Sequence, residues 1–243
     1  MSGTSPKQEY DLVDLTWDTA FFGVTSAKVI LKEPLTVPRW KELKARCIGY
    51  QFVCLENRNS EPKNARLIGK ETSAFLVDVN IQFAKKLTGE EPRLSEPVEF
   101  SRSPENLDQL MELTQFSVSR FVEDSELLKR GGARVHSEWL RNSVGKPDKL
   151  FAVSRCDGEV NGLLLHSYSG DSCTVELLAV SPKATRRGIG SALFRAVEYD
   201  AFCRGAKEIR VGTQVRNIPA LNLYSKLGCK VVGCHQIYHM WNL

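Results

Sequence analysis

VELLAVSPKATRRGIGSA, residues 175–192, decides how the rest of this chain is read. Its apolar start reads as a buried strand, a short basic turn follows, and a helix begins on Gly188-Ile189-Gly190. A helix that starts straight out of such a turn leaves the N–H groups of its first turn without intrahelical acceptors, all aimed at one place. Together with the positive end of the helix dipole they make a site for phosphate. Glycine there lets a pyrophosphate reach the backbone, where a side chain would hold it away. Further on, Ile189, Ala192, Leu193, Ala196 and Val197 recur at helical spacing, giving one apolar face to lay on a sheet.

Thr185-Arg186-Arg187-Gly188-Ile189-Gly190 resembles the acyl-CoA-binding signature of the GNAT acyltransferases, Arg/Gln-x-x-Gly-x-Gly/Ala. Thr185 departs from the pattern, while Arg186 and Arg187 keep the turn cationic. Asn217-x-x-Ala220-x-x-x-Tyr224-x-Lys226-x-Gly228-Cys229 is similar to the helix that follows in that family, with Cys229 in place of the usual Phe. The resemblance implies an α/β fold, the GNAT N-acyltransferase fold, with a mixed sheet and helices on both faces. The implied cofactor is acetyl-CoA or another short-chain acyl-CoA. Its expected contacts are Leu178 and Val180 on a strand splayed from its neighbour, Arg186, Arg187, Gly188, Gly190 and Ser191 at the turn, and Asn217 and Lys226 beyond it. Asn217 serves equally well as a helix cap, and Lys226 as a solvated side chain.

Acyl transfer from a thioester needs an anchored cofactor, a stabilised oxyanion, an uncharged amine and a protonated leaving thiolate. An amide near Leu178 or Val180 is placed by the resemblance as oxyanion donor. Tyr224 is its general acid, because a phenol with a reference pKa of about 10 stays protonated at neutral pH. Glu176 stands where some members carry a base, with a solvated edge carboxylate as the alternative. His235 and His239 share a strand face, yet no zinc-ligand spacing joins them to Cys229 and Cys234, and no metal is expected.

The chain has 243 residues, 42% hydrophobic and 26% charged, with a net charge of +4. Those values fit an ordinary globular protein and call for no nucleic-acid partner. Seven cysteines, an odd number with no CxxC pair, read as free thiols in a reducing cytosol. MSGTSPKQEYDL has no apolar h-region and no apolar run nears about 18 residues, so a cytoplasmic protein without membrane insertion is expected. A dinucleotide fold is excluded, since the third glycine of its fingerprint falls on Leu193.

LTGEEPRLSEP, residues 87–97, breaks helix and strand and reads as a linker between an N-terminal α/β domain (1–90) and a GNAT domain (98–243). Strands are expected at 27–31, 50–55 and 74–79, and a helix at 40–46. In the second domain Ser103-Pro104-Glu105 reads as a helix start, with the helix reaching Ser117. Strands follow at 150–155, 162–167 and 209–212, a helix at 219–227, and a last strand pair over 230–241.

Three further stretches bear on the acceptor: Trp17-Asp18-Thr-Ala-Phe21-Phe22-Gly23, Ser119-Arg120-Phe121 with Asp124, and Trp139-Leu-Arg-Asn142. They resemble the GNAT enzymes that acylate the amine of a nucleotide-linked amino-deoxy sugar. That resemblance makes Phe21, Phe22, Ser119, Arg120, Phe121, Asp124 and Trp139 substrate-binding residues and the N-terminal domain part of the acceptor pocket. Arg120 is suited to a diphosphate and the aromatics to a base or sugar ring. The alternatives are acylation of a protein N-terminus or small amine, and a non-catalytic CoA-binding domain. Oligomeric state stays open, a homodimer included.

Overall fold

The computed structural model describes residues 8–87 and 98–243, so the expected linker lies, beyond Leu87, outside the described residues. In chain order the first elements are β1 (Tyr10–Asp14), α1 (Thr16–Phe22), β2 (Ser26–Leu31), α2 (Val37–Cys47), β3 (Phe52–Asn57), α3 (Pro62–Glu71) and β4 (Phe75–Lys86). Then come β5 (Glu99–Ser101), α4 (Leu107–Glu112), α5 (Arg120–Glu123), α6 (Ser125–Lys129), α7 (Val135–Ser143), β6 (Lys149–Cys156) and β7 (Glu159–Ser169). The chain finishes with β8 (Ser172–Val180), α8 (Ile189–Cys203), β9 (Glu208–Gln214), α9 (Ile218–Lys226) and β10 (Lys230–Trp241).

Two compact units form, but not along the linear division expected at residues 90–98. Unit 1 comprises Met1–Ile81, Val118–Gly132 and Gly233–Leu243; unit 2 comprises Gln82–Ser117 and Ala133–Val232. Two late segments return to unit 1 for physical reasons. β10 runs antiparallel to β3, from Gln236↔Asn57 to Trp241↔Phe52, and the side chain of Asp124 bonds both His239 and Trp241. The region expected as a last strand pair is one strand of 12 residues.

In unit 1, β1 pairs antiparallel with β2, β2 parallel with β3, and β3 antiparallel with β10. One face of this mixed sheet is apolar. Val29, Leu31, Val53, Leu55, Tyr238 and Met240 meet Trp40, Leu43 and Cys47 of α2 and Ile68 of α3. Truncating any fully buried Leu or Ile here costs about 2–5 kcal/mol. α2 begins where Thr36 accepts from the Arg39 amide, and α3 where Glu61 accepts from Lys63, each with a proline at the first turn.

In unit 2, β5, β6, β7 and β8 are successively antiparallel, and β8 pairs parallel with β9. Leu177 and Ala179 of β8, with Phe151, Val153, Leu163 and Leu165, pack against Leu110 of α4 and Leu140 of α7. α4 is shorter than the helix expected over 103–117. The Ser101 hydroxyl holds the Ser103 amide in a turn, and the helix starts only after Asn106, which has φ of 57°. At its other end the Thr114 hydroxyl takes the Met111 carbonyl and stops it.

Candidate active site

β8 and β9 of unit 2 part company midway. Their ladder runs from Ser172↔Glu208 to Val175↔Val211, although β8 continues to Val180 and β9 to Gln214. Past that point each strand has an edge of backbone N–H and C=O groups that the other does not use. Such an edge can take an extended amide-bearing chain as though it were another strand. Leu178 and Val180, expected to hold the cofactor arm, lie on this unpaired stretch of β8.

The opening has a cause in the other ladder of β8. Leu165 pairs with Leu177 and His166 with Val175, leaving Glu176 as an extra residue. A bulge of that kind bends its strand and re-aims the side chains beside it. Glu176 itself forms an ion pair with Lys149, its side chain only 9% exposed, and its Oε2 atom is buried without a partner. The carboxylate therefore does not sit in solvent, and Lys149 already holds one of its oxygens.

The basic turn ends this strand as expected. Gly188 is the residue before α8, with φ of 85°, and no side chain caps the helix. Arg186 also has positive φ, and Lys183, Arg186 and Arg187 are exposed around the turn. The first-turn amides and three cations thus face solvent together, an arrangement for an anion. A cleft of about 890 Å³ borders the same turn, with Lys183, Arg187 and Ile189 on one side and Gln109, Arg155 and Asn161 among its other walls. Gly190 has a second reason to be glycine. A Cβ there would stand 3.3 Å from Leu223 Cδ2 and 3.7 Å from both Leu178 Cδ2 and Val180 Cγ2, so the glycine lets α8 approach β8 and α9 closely. Ser191 follows in the first turn, half-buried.

α9 starts where Asn217 Oδ1 accepts from the Ala220 amide at 3.2 Å, so the asparagine caps its helix. Tyr224, one of the two site residues expected on this helix, is 4% exposed, with ring centroids of Phe83 at 5.7 Å and Phe194 at 6.0 Å. Burial, with the Cys229 thiol beside it, pushes its hydroxyl well above the ordinary phenol range. Lys226 is exposed in the last turn, where a cation suits the helix dipole.

The expected acceptor residues divide between the units. Trp139 belongs to α7 of unit 2 and is 37% exposed. The other six lie in unit 1 and come together there. Trp17 stacks on Phe21 at 4.7 Å, Phe21 meets Phe22 edge-on at 5.0 Å, Phe22 stacks on Phe121 at 6.3 Å, and the Arg120 guanidinium lies 4.7 Å over Phe121. Ser119 and Asp124 are 2% exposed and cap α5 and α6 respectively. Their oxygens are engaged by the protein's own amides.

Sequence reasoning missed the groups beneath this file. The second face of the unit 1 sheet carries a polar patch: Lys28, Cys54 and His239 stand in one cross-strand row, with Glu56 two residues along. Arg120 Nη1 donates to Cys54 Sγ at 3.3 Å, and His239 Nδ1 lies 2.7 Å from Asp124 Oδ2. Lys28 pairs with Glu56 at 2.6 Å. Burial lifts the Asp18 carboxyl above its usual value, with Arg120 and Lys28 acting in the opposite direction. Strand alternation could have put Cys54 and Glu56 on one face, but it could not have brought His239 or Arg120 there from other segments.

The family model described as "Acetyltransferase (GNAT) family" matches residues 109–229. Among curated relatives, spore coat polysaccharide biosynthesis protein SpsD of Bacillus subtilis is 26% identical over 140 residues, covering 57% of this chain and 48% of the relative. The chain thus spans about half the length of that relative. A dTDP-fucosamine acetyltransferase of Escherichia coli is 26% identical over 226 residues, covering 89% of this chain and 92% of that enzyme. In fold the chain is similar to a GCN5-related N-acetyltransferase from Sphaerobacter thermophilus, with a TM-score of 0.61, 16% identity, and 96% of this chain and 77% of that one covered. With the open edge of β8, the cationic turn and the buried phenol in the matched region, the chain belongs to the acetyltransferase (GNAT) family.

Proposed function

We propose that the protein transfers an acetyl or short hydroxyacyl group from CoA to the amine of a nucleotide-linked amino-deoxy sugar. What carries this reading is the similarity to a dTDP-fucosamine acetyltransferase over 226 residues, which includes unit 1 as well as the GNAT region. In unit 2, the unpaired edge of β8 pairs with the pantetheine arm, and the turn from Arg186 to Ser191 takes the pyrophosphate. The neutral amine attacks the thioester carbonyl, and an amide of the Leu178–Val180 stretch stabilises the oxyanion. The tetrahedral intermediate then expels CoA thiolate, which takes a proton from the Tyr224 hydroxyl. Glu176, held by Lys149, accepts the proton of the amine through water. In unit 1, Arg120 reads the diphosphate while Phe21, Phe22 and Phe121 supply aromatic faces for the base or sugar.

The test is CoA thiol release with a panel of dTDP-, UDP- and GDP-linked amino sugars, each offered acetyl-CoA and longer acyl-CoAs. Turnover on a nucleotide amino sugar well above that on free amines and peptide N-termini is expected. Equal or better turnover on a peptide N-terminus would overturn the acceptor assignment and leave the family untouched.

A further inference from the structure

Cys54 is 2% exposed at the middle of β3, yet it does not sit in an apolar core. That core lies on the opposite face of the sheet. On its own face the sulfur meets the Arg120 guanidinium at 3.3 Å, and directly across the ladder stands His239. The imidazole is fixed at Nδ1 by Asp124, whose Oδ2 also accepts from Trp241 Nε1 at 3.0 Å. Phe52 packs edge-on to the ring at 4.9 Å. His239 is 1% exposed and its Nε2 atom is buried with no hydrogen-bond partner. A fixed histidine with one spare nitrogen, opposite a thiol touched by an arginine, is the arrangement that activates sulfur nucleophiles.

We propose that Cys54, held between Arg120 and His239, is a nucleophile that reacts through its thiolate with hydrogen peroxide. The thiolate attacks one peroxide oxygen, the S–O bond forms and the O–O bond breaks. The departing hydroxide takes the proton of the His239 imidazolium and leaves as water, so Cys54 becomes sulfenic acid and His239 neutral. Arg120 holds the thiolate beforehand. With the sulfur only 2% exposed, the reactant proposed is one little larger than water, in place of a thioester or a protein disulfide. The charged groups facing the thiol agree with this state. Burial opposes ionisation, but Arg120, then His239, then Lys28 outweigh it and bring the thiol below its ordinary value. Glu56 is already neutralised by Lys28 and Arg58, and Asp124 by His239.

The experiment uses the whole chain without acyl-CoA or acceptor, so its outcome is independent of the acceptor assignment. Dilute hydrogen peroxide is followed by dimedone trapping and peptide mass mapping between pH 6 and pH 9. Cys156 and Cys203, both exposed, serve as internal standards. Cys54 is expected to be labelled at least tenfold faster than either, and to keep its rate at lower pH than they do. His239→Gln should slow it at least tenfold and restore an ordinary thiol pH profile. If that variant does not fold, the wild-type profile decides alone. Labelling of Cys156 or Cys203 first, or a Cys54 rate with the same pH profile as theirs, overturns the proposal.

Discussion

Each unit gathers a cysteine, a histidine and an aspartate, with sulfur and imidazole buried in both, and the two sulfurs end up in opposite states. In unit 1, Arg120 touches Cys54 and the thiol lies below its usual value despite burial. In unit 2, Cys173 is pushed up to about 12, chiefly by burial, and the negative Asp200 nearby adds to the rise. The difference is where the arginine is spent. Arg204 Nε donates to Asp200 at 2.7 Å, and the Tyr168 hydroxyl donates to the same Oδ2 at 2.6 Å. The unit 2 cluster spends its arginine on the carboxylate, whereas the unit 1 cluster leaves a cation on sulfur. Residue type alone does not make a reactive centre; the placement of one positive charge does.

The same contrast separates two phenols of unit 2, the half-buried Tyr168 and the buried Tyr224. The Tyr168 hydroxyl is committed to Asp200, while Tyr224 has aromatic neighbours and stays protonated through any physiological pH. Tyr224→Phe is expected to lower kcat by roughly 10²–10⁴-fold with substrate affinities nearly unchanged. Tyr168→Phe should leave kcat within about twofold. Because burial raises the Tyr224 pKa, the basic limb of the kcat profile should lie above about 10, and a limb near pH 8–9 would belong to another group. Steady-state kinetics of both variants measures this, and full activity in Tyr224→Phe removes the general-acid role.

Next in size is the charge on sulfur. Arg120→Gln keeps a donor and removes the cation, so the acceptor KM should rise about tenfold or more, in keeping with a lost charge-assisted bond of about 1.5–3 kcal/mol. The KM for acyl-CoA should stay near wild type. The same variant should return Cys54 to ordinary alkylation kinetics. A KM increase shared equally by both substrates would reduce Arg120 to a packing role.

How much of this was legible beforehand depends on which part of the chain does the work. The donor side is built from backbone, and its requirements appear as glycines at fixed spacing, so Gly188, Gly190 and the helix after them could be placed from sequence. The bulge at Glu176 could not, since it depends on how β7 pairs with β8. The unit 1 cluster is built from side chains on β3, α5, the residue before α6, and β10. No local pattern links Cys54 to Arg120 or His239: His239 meets it because β10 returns beside β3, and Arg120 reaches it from α5. Ser103-Pro104 misled in the reverse sense: the residue types of a helix start were present, but the Ser101 hydroxyl captured the Ser103 amide first.

Gly190→Val tests whether the backbone-built side is as simple as it reads. CoA affinity should fall about tenfold in calorimetric titration, from loss of charge-assisted bonds to the turn amides. The added side chain also meets Leu223 at the closest point, 3.3 Å from the Cβ position, so α9 must shift as well. Gly190→Ala, which adds only that Cβ, separates the two causes. Little change in Gly190→Ala with a full loss in Gly190→Val points to packing between α8 and α9, and a graded loss points to the pyrophosphate.

The smallest expected effect belongs to the unit 2 cluster. Burial works to raise the Asp200 pKa, but bonds from its histidine, arginine and tyrosine neighbours prevail and hold the carboxyl far below its usual range. A depressed folded pKa means that the stabilisation is complete above the unfolded value near 4, and is lost as pH falls through the folded value. Asp200→Asn should therefore lower Tm at pH 7 by roughly 2–8 °C after allowance for partial exposure. The gap to wild type should narrow steadily below about pH 4. Alkylation of Cys54 should not change, because nothing in that cluster belongs to unit 1. Thermal melts across the acid range check the first point and thiol kinetics the second. A gap that stays constant down to pH 2 would mean that Asp200 contributes shape and hydrogen bonding without its charge, and the two clusters would then differ in more than the placement of one arginine.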